Sequence, residues 1–223
     1  MEKILVLDFG GQYNQLIARR VRDHKVFAEI LPYTVPLADI RAAGYKGIIF
    51  TGGPNSVFDP ASPHYDPAIL SLGVPVLGIC YGCQLTAWMA GGTVETAEQS
   101  EYGKIGLHIT DPASPLFVDV PADSTVWMSH TDRVTKAPAG FTVTAVTDAC
   151  PIAAMEDPQR RLYAVQFHPE VTHSEFGDRM LENFLYRVCG CAGDWQMDSF
   201  IEDTVARLRE RIGDKPVILG LSG

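Results

Sequence analysis

The stretch Val74-Pro75-Val76-Leu77-Gly78-Ile79-Cys80-Tyr81-Gly82 decides the fold of this chain. Its first half is a short apolar run typical of a buried strand, and its second half places a cysteine between two glycines. A sharp strand-to-helix turn leaves no room for bulky neighbours, and it lifts the central side chain above the edge of the sheet. Residues 82–89 then predict a helix whose N-terminal amides point at the sulfur, which favours the reactive thiolate. The stretch therefore predicts a nucleophile elbow with Cys80 at its apex.

Over the first ninety residues, short apolar runs alternate with helical patterns. The runs predict strands at residues 4–7, 26–31, 47–51 and 74–77, and the patterns predict helices at residues 12–24, 37–43, 67–72 and 82–89. Such alternation is typical of parallel strands whose crossover helices cover both faces of a sheet. The predicted fold class is therefore α/β, with an open, largely parallel central sheet and a site at the carboxyl ends of its strands.

From residue 92 onward the pattern changes, and this second half is predicted to be rich in β-structure. Strands are predicted at residues 93–97, 105–110, 125–128, 141–146 and 161–167, and a helix at residues 174–188. A last helix with an apolar face is predicted from the capping box at Ser199 and Glu202. Residues 216–221 then predict a further apolar strand. We expect one domain over residues 1–194, followed at residues 195–223 by a linker helix and the first strand of a second domain.

The composition excludes several classes of partner and location. The chain of 223 residues has a net charge of −9, which argues against nucleic acid or an anionic membrane as its main partner. No apolar run approaches the length of a membrane span, and the N-terminal apolar stretch is too short for a secretory signal. Five unevenly spaced cysteines do not fit a secreted disulfide framework. We expect a cytoplasmic protein without a membrane or nucleic-acid partner.

A second candidate group follows the predicted strand at residues 161–167. His168-Pro169-Glu170 places an imidazole and a carboxylate at the end of that strand. In a parallel sheet this end lies at the same edge as the end of the Cys80 strand. An imidazole there acts as the base for a thiol, and a carboxylate orients the imidazole. The pattern predicts a nucleophilic triad of Cys80, His168 and Glu170.

Three other roles exist for a cysteine at this position. Free cysteine is among the most buried residue types, so packing is one of them. Cys80 and Cys83 also have the spacing of a thiol redox pair, but redox chemistry leaves the elbow glycines and His168 unexplained. The zinc deaminase signature has the two motifs in the opposite order and a proline where Ile79 stands. We therefore predict no metal site, and we predict that Cys83 packs beneath the elbow.

Gly52-Gly53-Pro54 closes the predicted strand at residues 47–51. One explanation is a plain turn. The other is a close approach of the backbone to a reacting carbonyl, so that an amide of the chain donates a hydrogen bond to an oxyanion. The usual second donor is the residue after a nucleophile elbow, which here is Tyr81.

These motifs resemble the class I, or triad, glutamine amidotransferases over about residues 3 to 190. The matching segments are Gly52-Gly53-Pro54, Gly78-Ile79-Cys80-Tyr81-Gly82-x-Gln84 and Phe167-His168-Pro169-Glu170. Members of the family hydrolyse the side-chain amide of glutamine and pass the ammonia to a synthetase partner. The resemblance therefore implies glutamine as the substrate.

The resemblance also implies a role for each matched residue. Cys80 is the nucleophile that forms a γ-glutamyl thioester, His168 is the general base and then the acid, and Glu170 orients His168. The amides of Gly53 and Tyr81 form the oxyanion hole. The implied contacts to glutamine are Gln84, Ser129, His130 and Asp132.

Finer details resemble the GMP synthase subfamily, at residues 8–13, 127–130, 168–173 and 218–223. This implies delivery of ammonia for the ATP-dependent amination of XMP to GMP, by an ATP-pyrophosphatase domain that is absent from this chain. It further implies no cofactor in this chain, ATP and Mg²⁺ for the synthetase domain, and a homo-oligomeric full-length enzyme. Thr131 departs from the subfamily, which usually has glycine there, and a β-branched residue is poorly suited to positive φ.

Three alternatives stay open from the sequence. A stand-alone cysteine hydrolase or peptidase uses the same kind of sheet and elbow. An inactive binding domain keeps a triad without using it. Other amidotransferases serve anthranilate, carbamoyl-phosphate or CTP synthesis, and only the local matches and the terminal apolar strand distinguish this chain from them.

Overall fold

The computed structural model describes residues 2–213, 215–218 and 220 of the chain. Its strands are β1 (Lys3–Asp8), β2 (Phe27–Pro32), β3 (Gly47–Phe50), β4 (Val76–Ile79), β5 (Thr93–Ile109), β6 (Asp123–Lys136), β7 (Thr142–Val146), β8 (Ala154–Asp157) and β9 (Leu162–Val165). Its α-helices are α1 (Asn14–Asp23), α2 (Leu37–Ala43), α3 (Tyr81–Met89), α4 (Gly177–Asn183) and α5 (Met197–Ile212). Short 3-10 turns occupy Pro67–Ser71 and Pro115–Phe117, and a π-helical turn at Phe184–Val188 extends α4.

All the described strands belong to one sheet, in the order β2-β1-β3-β4-β9-β8-β7-β5-β6. The pairs from β2 to β9 are parallel, and the pairs from β9 to β6 are antiparallel. The predicted α/β class with a parallel core and a β-rich second half is confirmed. The carboxyl ends of β1, β3, β4 and β9 meet at one edge of the sheet, which is where a site is expected in an open α/β fold.

Alternating residues of the central strands build two separate cores. In β1, Ile4 and Val6 pack on one face of the sheet with apolar residues of α1 and α4. Leu5 and Leu7 pack on the other face with residues of α2 and α3. The helices therefore cover both faces of the parallel half, as strands buried on both sides require. Among the described residues, no helix combines the length and apolarity needed to cross a bilayer.

The second half of the chain differs from the sequence-based prediction in three places. The strands predicted at residues 93–97 and 105–110 are parts of one long strand, β5, which forms a two-stranded ribbon with β6. β8 was not predicted, because its sequence Ala-Met-Glu-Asp has no alternation and ends in two acids. The helix predicted at residues 174–188 starts only at α4, since residues 171–176 form turns.

The C-terminal segment also departs from the prediction. Helix α5 begins at Met197, so Ser199 lies within its first turn and is not the N-cap, which is Gln196. The predicted apolar face is present, but its members Ile201 and Leu208 are about half exposed. Residues 215–218 form no strand, and the remainder of the strand predicted at residues 216–221 lies largely outside the described residues.

Candidate active site

The predicted elbow is present between β4 and α3. Cys80 has a φ of +54° and a ψ of −107°. Residues other than glycine rarely adopt this backbone conformation, which costs about 1–3 kcal/mol. Hydrogen bonds hold it in place: its amide donates to the carbonyl of Val165 at 2.9 Å, and its own carbonyl accepts from the amide of Gln84 at 3.1 Å. The strained turn is thus fixed by β9 on one side and by the first turn of α3 on the other.

Gly78 and Gly82 make this turn sterically possible. A Cβ on Gly78 would overlap the backbone carbonyl of Gly82, and a Cβ on Gly82 would lie 2.5 Å from the carbonyl oxygen of Phe50. Backbone atoms cannot swing aside as a long side chain does. The two glycines are therefore required by close backbone packing around the elbow.

We expect Gly82→Ala to lower the free energy of unfolding by about 1–3 kcal/mol, because α3 must move away from β3 to admit the methyl group. In a domain of this size the melting temperature falls by roughly 2–12 °C. Gly106→Ala in β5 is the matched control, since a Cβ there meets nothing within 4 Å. Calorimetry of both variants checks the prediction, and equal melting temperatures would contradict it.

The predicted triad is assembled at the elbow. His168 Nδ1 lies 2.7 Å from Glu170 Oε1, and both side chains are almost fully buried. This leaves Nε2 to interact with Cys80. Burial opposes the charged imidazole, but hydrogen bonds and charge interactions with Cys80 and Glu170 outweigh it and raise the pKa of His168 to about 11. The imidazole is therefore held between the Cys80 sulfur and the Glu170 carboxylate, and these two neighbours favour its charged form.

Contacts from three other segments fix the triad. The amide of His168 donates to the carbonyl of Trp127 in β6 at 2.9 Å. The Tyr13 ring meets the imidazole of His168 edge-on, with 5.2 Å between ring centroids. Arg20 Nε donates to the carbonyl oxygen of Glu170 at 3.1 Å. The base and its orienting acid are therefore rigidly placed before any substrate binds.

A cavity of about 570 Å³ opens above Cys80. It is walled by the loop after β1, the loop after β3, the elbow, the β5–β6 ribbon and the imidazole of the triad. Its lining residues are 10–13, 52–56, Cys80, Tyr81, Gln84, Thr96, Tyr102, 129–132 and His168. Every site residue predicted from the sequence except Glu170 therefore lines one cavity, and Glu170 lies directly behind His168.

Gly53 and Tyr81, the residues of the predicted oxyanion donors, line this cavity. Among the described hydrogen bonds, none uses the backbone amide of Gly53 or Tyr81. A Cβ on Gly52 would lie 3.1 Å from His168 Cε1, so the loop after β3 approaches the triad as closely as a glycine allows. The close-approach explanation of Gly52-Gly53-Pro54 thus agrees with the packing, and the oxyanion role of both amides stays a prediction.

The segment at residues 129–132 forms the opposite wall. Cys80 Sγ lies 3.6 Å from the carbonyl oxygen of Ser129, and Gln84 Nε2 donates to the carbonyl of Asp132 at 2.7 Å. The imidazole of His130 is only 1% exposed, so it lies behind the wall and does not enter the cavity. The contacts of these residues with glutamine remain predictions. Because its imidazole is buried, His130 can line the cavity only through its backbone.

Thr131 is accommodated without strain. It is absent from the described non-glycine residues with positive φ, which are Lys25, Cys80, Asp119 and Arg161. Its side chain forms a 2.8 Å hydrogen bond with the Tyr102 hydroxyl. The backbone here suits a β-branched residue, so the departure from the subfamily does not distort the wall.

The cysteines other than Cys80 are buried packing residues. All five cysteines are free and buried. Cys83 is fully buried in the core beneath the elbow, and burial raises the pKa of its thiol well above the usual range. It is therefore placed as predicted, as an inert packing residue.

The sequence model of the family described as glutamine amidotransferase class-I matches residues 5–188, which include the elbow and the triad. The chain belongs to the class I glutamine amidotransferases. Among its curated relatives are the GMP synthases [glutamine-hydrolyzing] of Ruminiclostridium cellulolyticum and Acetivibrio thermocellus. Each is 55% identical over 222 residues, which is 100% of this amidotransferase and 43% of the relative. The chain thus spans less than half the length of the relatives it matches.

Solved structures agree with this fold. A protein of Thermoplasma acidophilum described as a GMP synthase subunit is 28% identical with a TM-score of 0.74, over 92% of this amidotransferase and 98% of that chain. A glutamine amidotransferase from Thermotoga maritima has a TM-score of 0.62 over 96% of this chain and 86% of its own, at 18% identity. The second likeness concerns the fold alone.

Several cavity residues were not assigned a role from the sequence. Tyr13 lies in the loop after β1, and the position of that loop at the carboxyl edge of a parallel strand was the available signal. Thr96 and Tyr102 reach the cavity because β5 pairs with β6, a long-range contact that periodicity does not reveal. The site of this amidotransferase therefore draws on six segments that are separate in sequence.

Proposed function

We propose that this amidotransferase hydrolyses the side-chain amide of glutamine to give glutamate and ammonia. The observation that carries the proposal is the cavity in which the strained Cys80 faces His168, with Glu170 2.7 Å behind the imidazole. A nucleophile, a proton carrier and an orienting acid in this order are what acyl transfer from an amide requires.

The first half of the reaction releases ammonia. The Cys80 thiolate attacks the carboxamide carbon of glutamine, and the carbonyl oxygen becomes an oxyanion within reach of the free amides of Gly53 and Tyr81. His168 transfers its Nε2 proton to the departing nitrogen, so that the carbon–nitrogen bond breaks and ammonia leaves. A γ-glutamyl thioester on Cys80 and a neutral His168 remain.

The second half releases glutamate. Neutral His168 takes a proton from a water molecule as the water oxygen attacks the thioester carbon. The carbon–sulfur bond then breaks, which frees glutamate and restores the thiolate–imidazolium pair. Glu170 stays ionised throughout and keeps Nδ1 of His168 in the donating role.

The cavity suits an amino acid bound by its backbone end. With the carboxamide above Cys80, the α-amino and α-carboxylate groups reach the wall at residues 129–132. Gln84 and Asp132 tie that wall to α3 through the 2.7 Å bond from Gln84 Nε2. A substrate held at both ends presents its amide carbon to the sulfur in one orientation, which lowers the entropic cost of the attack.

We further propose that the ammonia serves a synthetase region of the GMP synthase type, for the ATP-dependent amination of XMP. The 55% identity to GMP synthases over 222 residues supports this, together with the 43% share of their length. ATP and Mg²⁺ belong to that region, and no cofactor is assigned to this chain. We assign residues 195–223 to the linker helix α5 and the connecting segment that leads into it, and we propose a cytoplasmic, homo-oligomeric full-length enzyme.

We expect the 223-residue chain to release glutamate and ammonia from glutamine and to form no GMP when XMP, ATP, magnesium and ammonium are supplied. The hydrolytic cavity is complete within residues 10–170, whereas activation of XMP needs a phosphate-binding loop and metal of the synthetase type. Glutamate is measured by a coupled assay, and AMP and GMP by chromatography.

The same assay with peptide and ester substrates separates this function from that of a general cysteine hydrolase. Turnover of peptides at the rate of glutamine would contradict the proposed substrate. Formation of AMP or GMP by the chain alone would contradict the assignment of the synthetase chemistry to another region.

A further inference from the structure

A buried hydrogen-bond chain lies behind the cavity wall at residues 129–132. Glu101 in β5 and His130 in β6 stand opposite each other, with side chains 6% and 1% exposed. Glu101 Oε2 lies 3.1 Å from His130 Nε2, and Glu101 Oε1 accepts a hydrogen bond from Thr147 Oγ1 at 2.7 Å. The Thr147 hydroxyl in turn accepts from the amide of Cys150 at 2.9 Å. Both oxygens of this buried carboxylate therefore have partners.

A bulge in β5 creates this pairing. Thr96 is opposite Asp132 and Glu101 is opposite His130, so residues 97–100 face only Thr131 on β6. Bulges of this kind re-aim side chains next to active sites. Here the bulge turns a carboxylate into the interior, where an ionised acid is rarely found without a partner.

The other nitrogen of His130 also meets a hydrogen-bond acceptor. Nδ1 lies 3.1 Å from the carbonyl oxygen of Asp132, which also accepts the hydrogen bond from Gln84 Nε2. A carbonyl and a carboxylate are both acceptors, and a neutral imidazole has only one N–H to donate. Only the imidazolium satisfies both contacts. Arg133 is a further cation near Glu101, and the hydrogen bonds from His130 and Thr147 outweigh burial to lower the pKa of Glu101.

We propose that Glu101 and Thr147 are positioning residues that hold His130 as an imidazolium and thereby fix the glutamine-binding wall at residues 129–132. The effect on glutamine rests on the proposed function. The charged imidazole holds the carbonyl of Asp132, which is also the anchor of Gln84. Loss of the carboxylate would release that carbonyl and loosen the wall, while Cys80, His168 and Glu170 stay in place.

Glu101, His130 and Cys150 offer the carboxylate, imidazole and thiol that bind zinc. Their donor atoms lie within 4.8 Å of one another, so a metal site is the alternative role of this cluster. Their hydrogen bonds favour the positioning role. The Cys150 thiol donates to the carbonyl of Ile152 at 3.4 Å, and burial raises its pKa to about 12, so that it remains a thiol. A protonated thiol is not a metal ligand.

The kinetic test uses Glu101→Gln, which keeps the size of the side chain and removes its charge. We expect the KM for glutamine to rise about tenfold, with kcat within about twofold, because a charge-assisted hydrogen bond to the wall is lost. Thr147→Val is expected to raise KM in the same direction. Thr147→Ser keeps the hydroxyl and is the matched control, with the KM of the unmodified chain.

A second readout needs no turnover. Nitrogen NMR of labelled histidine near neutral pH is expected to show both ring nitrogens of His130 protonated, and only one in Glu101→Gln, with His130→Gln used for assignment. Absence of glutamate release by the unmodified chain would refute the proposed function alone. A neutral His130 in the unmodified chain, or an unchanged KM in Glu101→Gln, would refute the positioning role. If Glu101→Gln fails to fold, equal KM values for Thr147→Val and Thr147→Ser refute it instead.

Discussion

Cys80→Ala is expected to abolish glutamine hydrolysis, with a loss of about 10⁴-fold or more in kcat, whereas Cys83→Ala is expected to keep most of the activity. The two cysteines are three residues apart, but they differ in their access to the cavity. Cys80 is at the strained apex, beside His168 and at the floor of the cavity. Cys83 is fully buried in the core beneath the elbow, where burial raises the pKa of its thiol well above the usual range and keeps it protonated. Only the first sulfur can reach a substrate.

Two measurements check this expectation. Initial rates of glutamate release compare the two variants, and a chloroketone analogue of glutamine followed by peptide mapping identifies the labelled sulfur. Cys83→Ala is the matched control, since it removes the same atom three residues away. Substantial activity in Cys80→Ala, or labelling of Cys83, would falsify the triad assignment.

His168→Ala is expected to lose about as much activity as Cys80→Ala, and Glu170→Gln about ten- to a hundredfold less. The imidazole carries the proton in both halves of the reaction, so nothing replaces it. The carboxylate only orients the imidazole and stabilises its charge, and a glutamine side chain still offers an oxygen to Nδ1 of His168. Equal losses in kcat would show that Glu170 has another role.

The pH dependence of Glu170→Gln separates these roles further. With the carboxylate present, the pKa of His168 is raised to about 11, so the imidazolium persists through neutral pH and is lost only as the pH approaches that value. The alkaline limb of kcat/KM is therefore expected far above about pH 8. Because the hydrogen bond and charge of Glu170 raise this pKa, their removal is expected to move the limb to lower pH. An alkaline limb at the same pH in both proteins would contradict this account.

The local features of this protein could be predicted because each depends on neighbouring residues. The elbow follows from two glycines around Cys80 after an apolar run, and α2 from residues 37–43 alone. The long-range features could not. β8 is held by its neighbours in the sheet and carries little strand preference of its own, so its four residues gave no pattern. Glu101 looks like a surface acid until the bulge in β5 turns it towards His130.

The strand order of the sheet determines when the active site can form during synthesis of the chain. β9 is the last strand of the sheet to be made, yet it lies between β4 and β8, and it supplies the carbonyl of Val165 that holds the amide of Cys80. While the ribosome is still adding residues 81–161, β4 lacks β9 as a neighbour, and the amide of Cys80 lacks the carbonyl of Val165 as its acceptor. Pairing across such a separation is slow and comes late in folding. Cys80 thus acquires its base, His168, and the hydrogen bond that fixes its strained backbone in the same step, when β9 enters the sheet. A chain that lacks β9 therefore carries a cysteine that is not activated.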